Sequence, residues 1–405
     1  MVATKLSLRD LEVCGKHVLV RADFNVPIED SCLVDDTRVV ESLPTLLFLR
    51  KRGARVVLLS HLGRPEGKPV AKLSLRPVFK HLQRLLGNGG RNVFFCPECV
   101  GPLARAAVLA LKDGDILLLE NVRFHPGEET NDSIFSAELA QLGEIYVNDA
   151  FGATHRAHAS TVGIAAHLPV SATGLLVERE LHFLQGQLKS PRKPFLVLLG
   201  GAKVSDKIGV IEALIERADK FLIGGAMAYT FLKAQGIPVG NSLLGTDNCD
   251  LARRLLSLSK ARGLEFFLPL DAVETLKVRP GALCRNTPIF SQSTGITRGW
   301  IGVDIGVKTR ALYSAEIARA STILWNGPLG VFEIQEFSSG TRAIAEAIAA
   351  NPMSVSIVGG GDSVTAVKSF DLGDKMTFLS TGGGASLRLL EGNHLPGIEA
   401  LTDKK

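Results

Sequence analysis

The stretch FLVLLGGAKVSDK, Phe195 to Lys207, joins an apolar run, a pair of glycines and two spaced lysines. Phe195 to Leu199 is unbroken apolar sequence, the pattern of a parallel strand buried on both faces. Gly200 and Gly201 then permit a tight turn, and a helix is expected to begin near Ala202. On such a helix Lys203 and Lys207, four residues apart, share one face close to its start. Unpaired amide N–H groups at a helix start and bare glycine backbone together suit an anion such as phosphate. A glycine-turned strand–helix unit carrying two solvated lysines has the same pattern, so the rest of the chain must decide.

Eleven further runs repeat the apolar strand. HVLVRAD, ARVVLLSH, NVFF, DILLLEN and EIYVND precede the opening stretch; DKFLIGG, EFFLP, WIGVDIG, STILWNGP, SVSIVGGG and TFLSTGG follow it. Alternating with longer helical patterns, they predict an α/β protein whose parallel sheets are covered by helices on both faces. At 405 residues the chain exceeds one ordinary core and predicts two domains of about 200 residues each. Between the halves, GLLVERELHFLQGQLKSPRKP reads as a helix from about Leu175 to Leu188, ended by Pro191 and Pro194. A helix with so few loop residues suits an interdomain hinge.

Composition removes several classes. A net charge of +5 with no long basic run does not indicate a nucleic-acid binder. The N-terminal MVATKLSLRDLEV lacks the apolar core of a signal peptide, and no apolar run reaches the about 18 residues that span a bilayer. A cytoplasmic protein without membrane contact is expected. The six scattered cysteines are then expected to be free thiols, and the single CxxC of Cys96 and Cys99 is weak support for zinc or redox chemistry.

Ligands of such sheets bind beyond the carboxyl ends of the strands, so the residues after each strand carry the function. In the first half these are Asp23 and Asn25, His61 and Arg64, Arg123, and His155, Arg156 and His158. In the second half they are glycines: Gly200–Gly201, Gly224–Gly225, Gly327, Gly359–Gly361 and Gly382–Gly384. Guanidinium forks suit a small ligand bearing carboxylate and phosphate; glycine turns suit the chained phosphates of a nucleotide. Each arginine alone could be a salt-bridge partner, but their recurrence at successive strand ends, with Arg21 and Arg64 among them, favours an anion. Arg38 falls on the first turn of a helix capped by Asp36 or Thr37, where a solvated surface role and a site role are equally open. His155 and His158 lack a companion carboxylate at ligand spacing, and Ser60 and Ser160 lack a triad context. In IVGGGDSVTAV, Asp362 either caps a helix or, beside a nucleotide phosphate, holds Mg²⁺ directly or through water. Asn326 is placed near the phosphates, and Glu333 is either toward the ribose or an ordinary exposed acid. No GxxxxGK[ST] loop, protein-kinase signature or GxGxxG turn is present.

Taken together, VRADFNVP, SHLGRP, ENVRF, NDAFG, HRAHAS, LGGAKVSDKI, MAYTFL, LPLD, WNGP, GVFE, GGGDS and STGGGASL resemble, in order and over the whole chain, the phosphoglycerate kinase family. The resemblance implies two Rossmann-like domains joined by an interdomain hinge helix. A phosphoglycerate-binding domain would cover 1–173 and be joined by the C-terminal segment 391–405, the helix would cover 174–190, and a nucleotide-binding domain 191–390. It implies reversible phosphoryl transfer between 1,3-bisphosphoglycerate and ADP, giving 3-phosphoglycerate and ATP with Mg²⁺, by a monomer. Carried over by motif, Asp23, Asn25, Arg38, His61, Arg64, Arg123 and Arg156 contact the phosphoglycerate. Lys203, Lys207, Gly225, Gly302, Asn326, Glu333, Gly360, Gly361, Asp362 and Ser363 contact the nucleotide or its metal. Arg38, Lys203, Lys207 and the amides around Gly361 are the expected catalytic groups, acting by alignment and charge neutralisation after domain closure. The chain departs from the family pattern at GATHRAHAS, at Ala226 in place of a third glycine, where the adenine slot narrows, at Val307 in place of proline, and at Cys96. A nicotinamide-dependent oxidoreductase and a non-catalytic nucleotide sensor are the competing classes.

Overall fold

Apolar runs that send alternate residues to opposite buried faces build the first sheet. Val18, Val20, Val56, Leu58, Ile116 and Leu118 pack on one face against the helices Thr37–Lys51 and Arg76–Leu85. Leu19, Val57, Leu59, Leu117 and Leu119 pack on the other against Gly101–Leu109 and Ser133–Ala140. Burial of both faces is why these strands read as unbroken apolar sequence. The computed structural model describes residues 5–86, 91–244 and 249–404. It divides into one unit of Met1–His182 with His394–Lys405 and a second of Phe183–Asn393.

The first unit holds six parallel strands in the order Val93–Cys96, Ile116–Leu119, Arg55–Leu59, His17–Arg21, Ile145–Asn148 and Ser171–Thr173. The last is short and polar, with no apolar signal to predict it. The C-terminal residues join this unit by backbone: Thr402 N–H donates to Ser171 O at 3.1 Å, and Leu6 N–H donates to Thr402 O at 2.8 Å.

The second unit's sheet runs Glu265–Phe267, Lys220–Ile223, Phe195–Leu199, Thr322–Asn326, Val355–Gly359, Phe378–Leu379, all parallel. This is the doubly wound Rossmann order, and its switch point lies between Phe195–Leu199 and Thr322–Asn326. Two expectations fail here. WIGVDIG does form a strand, Ile301–Ile305, but it pairs antiparallel with Ala272–Thr275 in a separate three-stranded sheet completed by Cys284–Asn286. An apolar run does not record the direction of its partner. The helix after Gly201 begins at Ile208, not near Ala202. Gly201 turns with φ of +109°, buried Val204 anchors the loop, and Lys207 N–H closes a turn on Val204 O at 2.9 Å. Lys203 and Lys207 therefore do not share a helix face.

The connecting segment is an α-helix over Leu175–Leu181 continued as a π-helix over His182–Gln187. Its first turn is held by the first unit: Leu175 N–H donates to Thr45 Oγ1 and Leu176 N–H to Asp149 Oδ1, each at 2.9 Å. Burial pushes the Asp149 carboxyl up to about 7, opposed by hydrogen bonds from Thr45 and the helix amides. The folded protein keeps this proton where the unfolded chain has released it, so stability contributed here falls as pH rises from the ordinary carboxylate range to about 7. Asp149→Asn is expected to lose less stability than the parent between pH 5 and pH 8 in urea titrations; parallel losses would contradict this. No described helix is long and apolar enough to cross a membrane.

Candidate functional site

Arg38 stands on the first turn of Thr37–Lys51; Asp36 holds the N-cap position as expected but makes no side-chain capping bond, and Asp35 Oδ1 accepts the Thr37 N–H at 2.9 Å. Asp36 is instead engaged by His81 Nε2 at 2.8 Å. Arg38 Nη1 donates to both Asp23 oxygens at 3.0 and 3.1 Å and to Asn25 O at 3.1 Å. Asn25 Oδ1 accepts the Gly63 N–H at 2.9 Å, and Arg123 Nη1 donates to Gly63 O at 2.7 Å. His61 Nδ1 lies 3.1 Å from Arg21 Nη2 and 3.9 Å from Asp23 Oδ1. Arg156 Nε donates to His155 Nε2 at 3.2 Å, while Arg64 is exposed with no protein partner among the described residues.

The cluster is strongly cationic although His61 and His158 are neutral. Burial, then the Arg21, Arg123 and Arg38 charges, holds His61 well below the usual imidazole range. Burial, then Arg123, Arg21 and Arg156, brings His158 down to about 4. Both rings therefore stay uncharged at neutral pH and serve hydrogen bonding. Burial, then the Arg21 charge, lowers Arg123, whose Nε lies 3.3 Å from Glu129 Oε1. Arg21 is fully buried at the end of His17–Arg21; its Nε donates to Ser160 Oγ at 2.7 Å, and Ser160 donates to buried Glu128 at 2.6 Å. Ser160 is thus a structural bridge, and Ser60 likewise links Ala22 O with the Phe24 N–H.

In the second unit the glycine turns meet at the switch point. Gly200 N–H donates to Asn326 O and Gly201 N–H to Pro328 O, both at 3.0 Å. A Cβ on Gly200 would lie 2.0 Å from Pro328 O, and one on Gly225 2.5 Å from Gly201 N, so both positions require glycine. Beside them is a cavity of about 280 Å³ lined by Gly201, Gly225, Gly302, Tyr229, Glu333 and Asp362, among others. Gly302 leaves room for the Tyr229 hydroxyl, which a Cβ would meet at 2.1 Å. Asn326 is fully buried; its Oδ1 accepts from Lys207 Nζ, and its Nδ2, close to Gly360, has no partner among the described residues. Burial lowers the Lys207 ammonium, against the pull of Asp206, Asp362 and Glu391. Lys203, Asp362, Gly361 and Glu333 are exposed, whereas the Ser363 hydroxyl accepts the Gly327 N–H at 2.6 Å.

The family model described as phosphoglycerate kinase matches residues 8–393. The chain belongs to the phosphoglycerate kinase family. It is 52% identical to a phosphoglycerate kinase of Akkermansia muciniphila, covering 99% of this chain and 98% of that one. It is also 52% identical to one of Koribacter versatilis, covering 99% and 100%. The structure is similar to that of the phosphoglycerate kinase from Coxiella burnetii, with TM-score 0.87 and 38% identity over 98% of each chain. The phosphoglycerate kinase fold accounts for the two parallel sheets, and membership makes the chain a kinase acting on small molecules.

Within this phosphoglycerate kinase architecture, the first cluster brings Asp23, Asn25, Arg38, His61 and Arg123 into one bonded network. The cavity collects Gly225, Gly302, Glu333 and Asp362; Lys207 and Asn326 form a pair beside the switch point. Tyr229 and Pro328 also line the cavity and are carried by MAYTFL and WNGP, whereas Leu243, another lining residue, lies in no motif. Cys96 and Cys99 are buried free thiols pushed up by burial, and Cys99 Sγ donates to Glu120 O at 2.9 Å. They carry no part of this site.

Proposed function

We propose that the arginine cluster takes 3-phosphoglycerate or 1,3-bisphosphoglycerate and the switch-point cavity takes ADP or ATP with Mg²⁺. The reaction is reversible phosphoryl transfer from 1,3-bisphosphoglycerate to ADP, giving 3-phosphoglycerate and ATP. The observation that carries the assignment is Asn326, a buried amide at the switch point with Lys207 on its oxygen and a free donor beside the Gly359–Gly361 turn. A buried donor of this kind suits a phosphate oxygen.

An acyl phosphate is already activated, so transfer needs alignment and charge neutralisation rather than an enzyme nucleophile. Arg38 and Lys203 hold the transferring phosphoryl oxygens in line, Lys207 binds the nucleotide phosphates, and the amides of Gly360 to Ser363 assist. Asp23 fixes the Arg38 guanidinium in place. No three His, Cys, Asp or Glu side chains converge among the described residues, so the single exposed carboxylate of Asp362 fits a metal carried chiefly by phosphates and water. That ion, when bound, neutralises the nucleotide phosphates. The two ligands belong to domains 1–173 with 391–405 and 191–390, so closure about 174–190 precedes transfer. A cytoplasmic monomer with no nucleic-acid or membrane partner completes the reading.

Substitutions should separate the two substrates. Lys207→Ala is expected to raise KM for Mg-ATP about tenfold with little change for 3-phosphoglycerate, and Arg156→Ala to do the reverse. Initial rates over both substrate ranges check this. If both variants shift the same KM, the division of ligands between the clusters is wrong.

A further inference from the structure

Pro328 to Val331 line one side of the nucleotide cavity, and the backbone of the loop Gly327–Val331 that carries them is tied down along its length. Gly327 N–H donates to Ser363 Oγ at 2.6 Å, and Pro328 O accepts the Gly201 N–H at 3.0 Å. Leu329 N–H donates to Thr341 Oγ1 at 3.2 Å while its carbonyl accepts the Gly225 N–H at 3.1 Å. Val331 N–H donates to Val303 O at 2.9 Å. Gly330 accepts the Phe332 N–H at 3.0 Å and packs directly against the Asp304 carboxylate. A Cβ at Gly330 would lie 2.3 Å from Asp304 Oδ1, and one at Gly340 would lie 2.1 Å from the same oxygen.

Asp304 is buried on the strand Ile301–Ile305, two residues after the cavity-lining Gly302. Its Oδ2 accepts the Gly340 N–H at 2.5 Å and its Oδ1 the Ile305 N–H at 2.9 Å. Neither Asp304 nor Thr341 lines the cavity. Burying a carboxylate is costly, and burial raises this one to about 7 despite the Gly340 and Ile305 amides and the Arg310 charge. Capping of Ser339–Ala349 alone would not require two separate glycines, one of them in the cavity wall, to close on one oxygen.

We propose that Asp304, together with Thr341, is a positioning residue for the nucleotide. It holds the Gly327–Val331 loop between the strand Ile301–Ile305 and the helix Ser339–Ala349, so that Gly201, Gly225 and Leu329 keep the cavity's shape. The inference rests on the reading of this cavity as the nucleotide site. Asp304→Asn retains the side chain's size but turns an NH₂ toward the Gly340 or Ile305 N–H. Thr341→Val retains shape and removes the acceptor for Leu329.

Calorimetric titration of the full chain with Mg-ADP, and separately with 3-phosphoglycerate, tests this. Asp304→Asn should weaken Mg-ADP binding about tenfold or more and Thr341→Val about threefold or more. Affinity for 3-phosphoglycerate should stay within about twofold, with the number of sites per chain unchanged. Fewer sites per chain at unchanged Mg-ADP affinity would mean a merely structural role and overturn the inference, as would equal weakening of both ligands. If Asp304→Asn does not fold, Thr341→Val decides by the same criteria. Failure of the parent protein to bind Mg-ADP would instead remove the nucleotide reading and this inference with it.

Discussion

Arg38→Ala is expected to lower kcat by about a thousandfold or more, while KM for 3-phosphoglycerate changes by less than about tenfold. All three hydrogen bonds that Arg38 makes among the described residues run through Nη1, to Asp23 and Asn25. Nη2 and Nε are thereby left to a ligand while the guanidinium is held still. A cation fixed in advance stabilises charge that develops in transfer more than charge in the ground state, which places the loss in kcat. Arg38→Lys should recover little, because an ammonium cannot keep the Asp23 contact and present a second donor edge together. Steady-state kinetics over both substrates decide the matter; an unchanged kcat would remove Arg38 from the chemistry.

Arg21→Ala is expected to destabilise the protein by about 3–5 kcal/mol without directly touching substrate. Arg21 and Glu128 are both fully buried, 4.0 Å apart, and share Ser160 between them. Removing the cation leaves the carboxylate in the interior with the Ser160 hydroxyl and amide as its hydrogen-bond donors among the described residues and His158 Nδ1 at 3.8 Å, and releases the loop that carries His158. Urea unfolding of Arg21→Ala beside Glu128→Gln and the double variant measures the effect. The double variant should be more stable than Arg21→Ala, since it buries no unpaired charge. A loss below about 1 kcal/mol for Arg21→Ala would show that the pair is not what holds this corner together.

The two cases show what the chain discloses in advance. Strands buried on both faces, such as Phe195–Leu199, were legible because their apolar runs have no polar interruption. The pairing direction of Ile301–Ile305 was not, since it is set by neighbours distant in sequence. The helix after Gly201 begins six residues beyond Ala202, where the glycine turn predicts it, because the buried anchor Val204 leaves no periodic mark. At the sites, charged residues at strand ends could be picked out one by one. Their supports could not: nothing local marks Ser160 as the bridge between Arg21 and Glu128, or Asp304 as the wedge between Gly330 and Gly340. Arg21 resembles its neighbours in sequence, yet full burial makes it a pillar of the cluster, and the proposed ligand contact falls to Arg38, Arg64, Arg123 and Arg156.

The most direct test is ADP release from Mg-ATP by the purified full chain, recorded with and without 3-phosphoglycerate. Release that depends on 3-phosphoglycerate, saturates in each substrate and is lost in Arg38→Ala is the predicted result. Release at the same rate without 3-phosphoglycerate, or none with both substrates present, would contradict phosphoryl transfer between them.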